Sequence, residues 1–497
     1  MLLSRAFIRH GEDIQDPLDN ASFPERVLQI GEGNFLRGFA DWLIHQLNQH
    51  GLFQGSIVVV APRPSGGHNI DRLNRQDGLY TVWLRGLHDG QRVDRKDMVT
   101  SVRRGINPYT HWNEFLACAE NRNIDIILSN TTESGLVYVP EPYERGRPIT
   151  SNPGKLTAYL YHRYRHFGGD PSAGVTVIPC ELVDDNGILL RKLVERYAAD
   201  WRLPDGFVDW IRTANRFCNT LVDRIVTGFP ESENKSEVFA NLGYEDHLLT
   251  VAEPFHLWVI QGDGALSAVW PFEQLGLNVK YADPKPYRLR KVRILNGAHT
   301  AMSAIAHFAG IPTVREVVED PDLGAFIRDL IFQEILPTLE SKALDRQSLN
   351  AFADSVLERF ANPYVRHEIQ SLMLNGLSKI RVRLLPTLTE YVRRRGKLPE
   401  RLTFAIAALL LYFRNADQPE HRWEIPDNQE HVQLLQEIWS RESARGLSAT
   451  VERLLAVTEI WGQDLNTIPQ FAERVTRDIA SLRSEGVRPC IAKTVHR

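Results

Sequence analysis

Three features predict an α/β domain followed by a mostly α-helical domain. The first half alternates short β-branched runs with helical stretches, a glycine-rich turn follows the first such run, and β signals fade from about Pro286 onward. At 497 residues the chain is too long for one hydrophobic core, so two domains are expected, 1–284 and 285–497. No Gly/Ser-rich linker marks the junction, which is placed at Asp283-Pro284-Lys285-Pro286.

Taken in order, the expected buried strands are Arg26–Ile30, Ser56–Ala61, Ile124–Ser129 and Val175–Pro179, with helical patterns at Lys155–Arg163 and Ile188–Tyr197. Tyr80-Thr81-Val82-Trp83-Leu84 alternates like an exposed strand, and Asp89-Gly90 is a hairpin turn before Gln91–Val93. In the second half Gly310-Ile311-Pro312 should end one long helix, Asn362-Pro363 should start another, and Pro386 should break or kink the next. Further helices are expected at Leu402–Arg414, His431–Arg441 and Thr450–Ile460.

Composition narrows the function. Lys+Arg 58 against Asp+Glu 62 gives a formal charge of -4, with no basic excess for a nucleic-acid backbone. Cys118, Cys180, Cys218 and Cys490 form no CxxC pair, so neither a disulfide framework nor a thiolate metal site is expected; that usage fits a reducing cytoplasm. The first residues lack the apolar core of a signal peptide. The longest apolar run, Phe404 to Phe413, is too short to cross a bilayer and reads as a buried helix.

The glycine turn is Gly31-Glu32-Gly33-Asn34-Phe35-Leu36-Arg37-Gly38, directly after Ile30 and before the amphipathic stretch Phe39–Leu47. A strand, a tight turn and a helix N-terminus make a phosphate site of the Rossmann type, because glycines admit the backbone to a pyrophosphate and free amides attract its charge. The spacing is GxGxxxxG, with the last glycine displaced yet still suited to close helix–strand packing. The second strand ends Val60-Ala61-Pro62-Arg63, without the acidic residue that binds ribose hydroxyls, and Arg63 can instead accept a 2′-phosphate. By pattern alone, NAD and NADP both remain open. Asn130 and Thr131, after the Ile124–Ser129 strand, are placed either to contact ribose and nicotinamide or to cap the next turn.

The chemistry-bearing segment is Arg290-Lys291-Val292-Arg293-Ile294-Leu295-Asn296-Gly297-Ala298-His299-Thr300. On a regular α-helix Lys291, His299 and Asn296 fall at roughly 0°, 80° and 140°, one broad side. Oxidising an alcohol needs a base for its hydroxyl proton and the reverse reaction an acid. A lysine serves if burial or neighbouring cations, here Arg290 and Arg293, bring its pKa down to roughly 7–8. Asn296 and His299 can donate to the reacting oxygen. Singly, a helix lysine is usually solvated and a helix histidine a satisfied core residue; three such groups together point to catalysis.

Lys291-x4-Asn296-x2-His299 resembles the signature of the polyol-specific long-chain dehydrogenases, the mannitol dehydrogenase family. The resemblance runs from about Pro24 to Pro489 through Gln29–Arg37, Gln76–Thr81, Ser129–Glu133, Ile178–Leu182, Thr220–Gly228, Ile294–Thr300 and Arg401–Ala405. It implies a zinc-independent, NAD-linked enzyme with a Rossmann-type and a helical domain, the substrate held between them. Ile30, Gly31, Gly33, Asn34, Phe35, Arg63, Asn130 and Thr131 would hold the cofactor. Lys291 would be the general acid/base, Asn296 and His299 would polarise the reacting oxygen, and Asp223 and Lys379 would lie near the substrate. The match is strongest to members that act on sugar acids, implying interconversion of tagaturonate and altronate. Fructuronate reduction, mannitol-type polyol oxidation and a non-catalytic nucleotide-binding scaffold stay as alternatives. A sugar acid needs a cation for its carboxylate, for which Arg366, Lys379, Arg381 and Arg383 are candidates. Mannitol dehydrogenases carry asparagine where this chain has Leu182, so part of their oxyanion arrangement would be absent or replaced. The resemblance implies no metal, no membrane partner, and a monomer or small homo-oligomer.

Overall fold

The computed structural model describes residues 1–10, 23–144, 146–230, 233–262, 264–414 and 425–495. Two compact units result: Met1–Arg85 with Arg92–Pro284, and Gly86–Gln91 with Lys285–Arg497.

The first unit is built on a six-stranded parallel sheet. Its strands are β1 (Glu25–Ile30), β2 (Ser56–Val60), β5 (Val102–Ile106), β6 (Ile126–Ser129), β7 (Thr176–Pro179) and β8 (Arg216–Phe217), in the order β5-β2-β1-β6-β7-β8. The chain moves outward from β1 in one direction and then in the other, so β1 and β6 flank the switch point where α/β sheets hold ligands at their carboxyl ends. β-Branched runs make these strands because both faces are covered. Val27, Ile57, Val59, Ile126 and Leu128 enter one core, while Leu28, Ile30, Val58, Val60 and Ile127 enter the other. The period-2 alternation of side chains divides them.

Two smaller sheets complete this unit. One has the order β10-β11-β3-β4, from β3 (Tyr80–His88), β4 (Gln91–Val99), β10 (Val226–Thr227) and β11 (Thr250–Ala252); the other has β13-β12-β9, from β9 (Thr220–Asp223), β12 (Leu257–Ile260) and β13 (Val279–Tyr281). The hairpin turn lies at Asp89 and Gly90, with φ of 52° and 75°, the left-handed pair a two-residue turn requires. β3 departs from expectation: Tyr80 through Leu84 are buried, not half exposed. Tyr80, Val82 and Leu84 join the core that holds Phe39 and Leu43, and Trp83 packs with Val238 and Leu249, so both faces are covered.

The second unit is helical. The run Phe404 to Phe413 lies buried in the helix Glu400–Arg414, which packs against Gly297–Ala309. Gly310 ends the latter helix with φ 70°. Among the described residues, no helix is long and apolar enough to cross a membrane. Asn362-Pro363 does not open a helix. Asn362 lies just past the helix Arg346–Phe360, its side chain accepts the Tyr364 amide at 3.0 Å, and the next helix starts at Ile369. A side-chain turn after a C-terminus, with a proline that cannot continue the helix, explains this. The stretch expected as one helix over Thr450–Ile460 is two, Leu447–Leu455 and Thr458–Trp461.

Candidate active site

Gly31 leaves β1 with φ 144°, its amide bonded to the Val60 carbonyl at 2.9 Å. A Cβ there would stand 2.8 Å from the Asn130 carbonyl oxygen, so only glycine fits between β1 and β6. At Gly33 a Cβ would meet nothing within 4 Å. Gly33 caps the following helix without any side-chain hydrogen bond, which leaves the first amides, from Asn34 and Phe35 onward, for a ligand. These features fit a dinucleotide pyrophosphate: a close-packed turn, open space at the second glycine and an uncapped helix start. Gly38 packs closely as expected, but against Val226 and Thr250 of the smaller sheet.

The other cofactor candidates are placed as follows. The Ile30 carbonyl accepts the Asn130 amide at 3.0 Å, and the Asn34 side chain accepts from Arg37. Phe35 stacks on Phe39 at 4.9 Å. Arg63 is exposed just past β2. The Asn130 side chain donates to the Cys180 carbonyl at 3.0 Å. Glu181, not singled out from the sequence, ties the end of β6 in place. It accepts from the Thr131 amide and hydroxyl at 3.1 and 3.0 Å, and from the Ser129 hydroxyl at 3.1 Å. Burial raises its pKa against those hydrogen bonds. Next to this knot Thr132 has φ 75°, a strained value for a β-branched residue and one that marks functional turns. Leu182 is exposed, and Asp223 is the buried last residue of β9.

In the helical unit the segment 284–309 is not one regular helix. Pro284–Lys291 is followed by a π-helical turn, Val292–Asn296, in which the Gly297 amide reaches the Val292 carbonyl, and then by Gly297–Ala309. The wide turn takes up one extra residue. Lys291 to Asn296 therefore acts like four α-helical steps and Lys291 to His299 like seven, which puts the three at about 0°, 40° and −20°. The π turn gathers onto one face what an α-helix would spread over a broad side.

His299 is buried, stacked on Phe360 at 4.3 Å and edge-on to His367 at 4.8 Å. Its Nε2 is buried without a hydrogen-bond partner among the described residues. Burial, with His367, Arg359, Arg383 and Lys379 facing it, holds its pKa well below the ordinary 6.5, so the ring is neutral. Arg383 donates to the Thr300 hydroxyl at 3.2 Å, and that hydroxyl donates to the Asn296 carbonyl at 2.9 Å. Lys379 donates to the Leu372 carbonyl at 2.9 Å; burial first, then Arg383, lowers its pKa. Arg290 lies over Phe352 at 4.1 Å and Arg293 reaches the Thr387 hydroxyl at 3.4 Å, so both expected cations have other tasks.

The structure thus groups His299 with Lys379 and Arg383. Arg366 is exposed and paired with Glu368 at 2.5 Å, and Arg381 is exposed. Arg359 and His367 join the group without having been expected. Arg359 belongs to the helix Arg346–Phe360, and no spacing rule links it to position 299. Among the described residues no cluster of three metal-ligating side chains occurs.

Residues 25–269 match the mannitol dehydrogenase Rossmann domain and residues 283–483 the mannitol dehydrogenase C-terminal domain. An altronate oxidoreductase of Bacillus subtilis is 46% identical over 454 residues, covering 91% of this chain and 92% of that one. The altronate oxidoreductase of Halalkalibacterium halodurans is 42% identical over 484 residues, covering 95% and 94%. Among solved structures, the fold is similar to that of Pseudomonas fluorescens mannitol 2-dehydrogenase in ternary complex with NAD and D-mannitol (TM-score 0.68, 22% identity, 100% of both chains). It is also similar to that of D-sorbitol dehydrogenase in substrate-free form (TM-score 0.79, 21% identity, 99% of this chain and 100% of that one). With both domains matched over most of its length, the chain belongs to the mannitol dehydrogenase family.

Proposed function

We propose that the chain is an NAD(H)-dependent oxidoreductase that interconverts D-tagaturonate and D-altronate, acting in the cytoplasm. The single observation that carries the sugar-acid reading is the basic group around His299: Arg359, Arg383 and Lys379 all face one buried, neutral imidazole. A neutral polyol needs no such concentration of positive charge, whereas a carboxylate does. The names of relatives at 42% and 46% identity support the same substrate class.

Gly31, Gly33 and the amides of Asn34 and Phe35 would hold the pyrophosphate, with Ile30 closing the turn behind it, and Asn130 and Thr131 would contact the ribose. Arg63, exposed just past β2, would meet the adenosine ribose. When bound, the nicotinamide supplies or takes the hydride. Lys291 holds the proton that the substrate oxygen gains on reduction and takes it back on oxidation. Asn296 and the unpaired Nε2 of His299 hydrogen-bond that oxygen as charge develops on it. Asp223 and Lys379 would contact the sugar, while Arg366, exposed and paired with Glu368, lies outside the basic group around His299.

A spectrophotometric panel of tagaturonate, fructuronate and fructose with NADH and with NADPH tests this reading. Tagaturonate with NADH should give the highest kcat/KM. Preference for fructose, or dinucleotide binding without turnover on any of the three, would overturn it.

A further inference from the structure

A buried polar network in the Rossmann-type unit lies under the glycine turn and is not used by the chemistry above. The helix that follows the turn contains a π-helical segment, Arg37–Asp41, with both end residues buried. The Arg37 guanidinium donates to the Glu32 carbonyl at 2.6 Å, to the Asn34 side chain at 2.5 Å and to the Thr250 hydroxyl at 3.3 Å. Two of these acceptors belong to the glycine turn itself. Among the described residues Arg37 makes no ion pair, so its charge is only partly balanced, by the carboxyl groups of Asp246, Asp41 and Glu32 at longer range. Asp41 accepts from the Tyr80 hydroxyl at 2.8 Å and from the Gln29 amide at 3.4 Å, and the same amide donates to the Gly31 carbonyl at 3.0 Å. The second oxygen of Asp41 is buried with no partner among the described residues.

We propose that Arg37 and Asp41 are positioning residues of the glycine turn, which hold it in its pyrophosphate-accepting shape and place a buried guanidinium beneath it. This rests on the dinucleotide reading above. A buried guanidinium bonded to neutral acceptors presents a net positive charge to an anion across the turn. A neutral Asp41 leaves that charge intact, and an ionised one offsets it. Burial, opposed by the Tyr80 hydrogen bond and by Arg37, raises the Asp41 pKa to about 7. The other ionisable groups facing the pair are Tyr80 of β3, Asp246 before β11, Glu32 of the turn and Cys180 just after β7. A bound anion favours the protonated acid, so affinity is highest below pH 7 and falls as the pH rises through it.

The test is fluorescence titration of NADH from pH 6 to 8 on wild type, Arg37→Met, Arg37→Lys and Asp41→Asn, with ADP-ribose and adenosine as competing ligands. Arg37→Met should weaken NADH and ADP-ribose about tenfold or more at pH 6.5, leave adenosine unchanged, and keep kcat at saturating NADH within about threefold; Arg37→Lys should recover part of the loss. Asp41→Asn, close in shape and uncharged, should remove the pH dependence of the NADH Kd. Equal Kd in wild type and Arg37→Met, or an unchanged pH dependence in Asp41→Asn, overturns this proposal alone. Wild type that binds neither NADH nor NADPH at any pH overturns it together with the cofactor reading.

Discussion

Lys291 carries the proposed proton, and its replacement isolates that task. Lys291→Met should lower kcat by about 10²–10⁴-fold while leaving NADH binding within about twofold, as single-turnover and fluorescence measurements would show. A variant at wild-type rate would remove the lysine from the mechanism. His299 makes a separate prediction through its burial. Burial and the facing cations keep it neutral in the folded state below its ordinary 6.5, whereas in the unfolded chain it takes up a proton. Its contribution to stability is therefore present above about pH 6.5 and lost as the pH falls below it, at about 1 kcal/mol per pH unit. His299→Gln should flatten that loss in thermal melts between pH 7.5 and 5.5. A variant whose melting temperature falls as steeply as wild type would contradict it. Neither Arg359 nor His367 could be picked from the sequence as neighbours of His299, because only packing between helices brings them there.

At the scale of elements, the glycine turn separates shape from ligand. Gly31→Ala places a Cβ against the Asn130 carbonyl at a left-handed φ, so it should cost about 1–3 kcal/mol and abolish NADH binding. Gly33→Ala meets no protein atom, so its melting temperature should stay within about 2 °C of wild type while its NADH Kd rises. Melting curves and titrations on the same two samples check both; a destabilised Gly33→Ala would mean that its space is not kept for a ligand. The π turns are the other feature of this scale. One follows Lys291, and another, Ile380–Leu384, carries Arg381 and Arg383 immediately ahead of Pro386. A proline has no amide for the carbonyl four residues back, and the wide turn absorbs that missing bond; the Leu385 amide reaches back to the Ile380 carbonyl. That a break falls near Pro386 was legible in the sequence. That another falls between Lys291 and His299 was not, since no proline or glycine pattern announces it.

For the whole molecule the proposed chemistry is divided, with dinucleotide-binding residues in one unit and proton- and carboxylate-handling residues in the other. Lys379→Met and Arg383→Met should each raise KM for tagaturonate at least about tenfold and change KM for a neutral ketose by less than about twofold. Equal effects on both substrates would dissociate this basic group from the carboxylate. Rates should also survive prolonged treatment with a chelator, since the proposed proton chemistry belongs to Lys291; loss of activity restored by a divalent cation would contradict that proposal. The charged edge strand β4 and the buried strand β3 show why Tyr80–Leu84 differs from the exposed strand its alternation predicts. Alternation within β3 looked like one wet face, yet Val238 and Leu249, far away in the chain, cover it.

Sequence alone determined the parallel sheet, the glycine turn after β1, the hairpin at Asp89-Gly90, the helical second half and the family. The family rests on the resemblance carried by Lys291-x4-Asn296-x2-His299 and its accompanying segments; the others follow from local rules: β-branched runs, backbone freedom at glycine, and apolar periodicity. The tertiary structure alone decided the handed grouping of Lys291, Asn296 and His299 by a π turn, the cations around His299, and the knot of Glu181. It also decided the buried pair Arg37 and Asp41. Those depend on how much water packing removes from a group and on which distant side chains it meets, and neither quantity is carried by residue order.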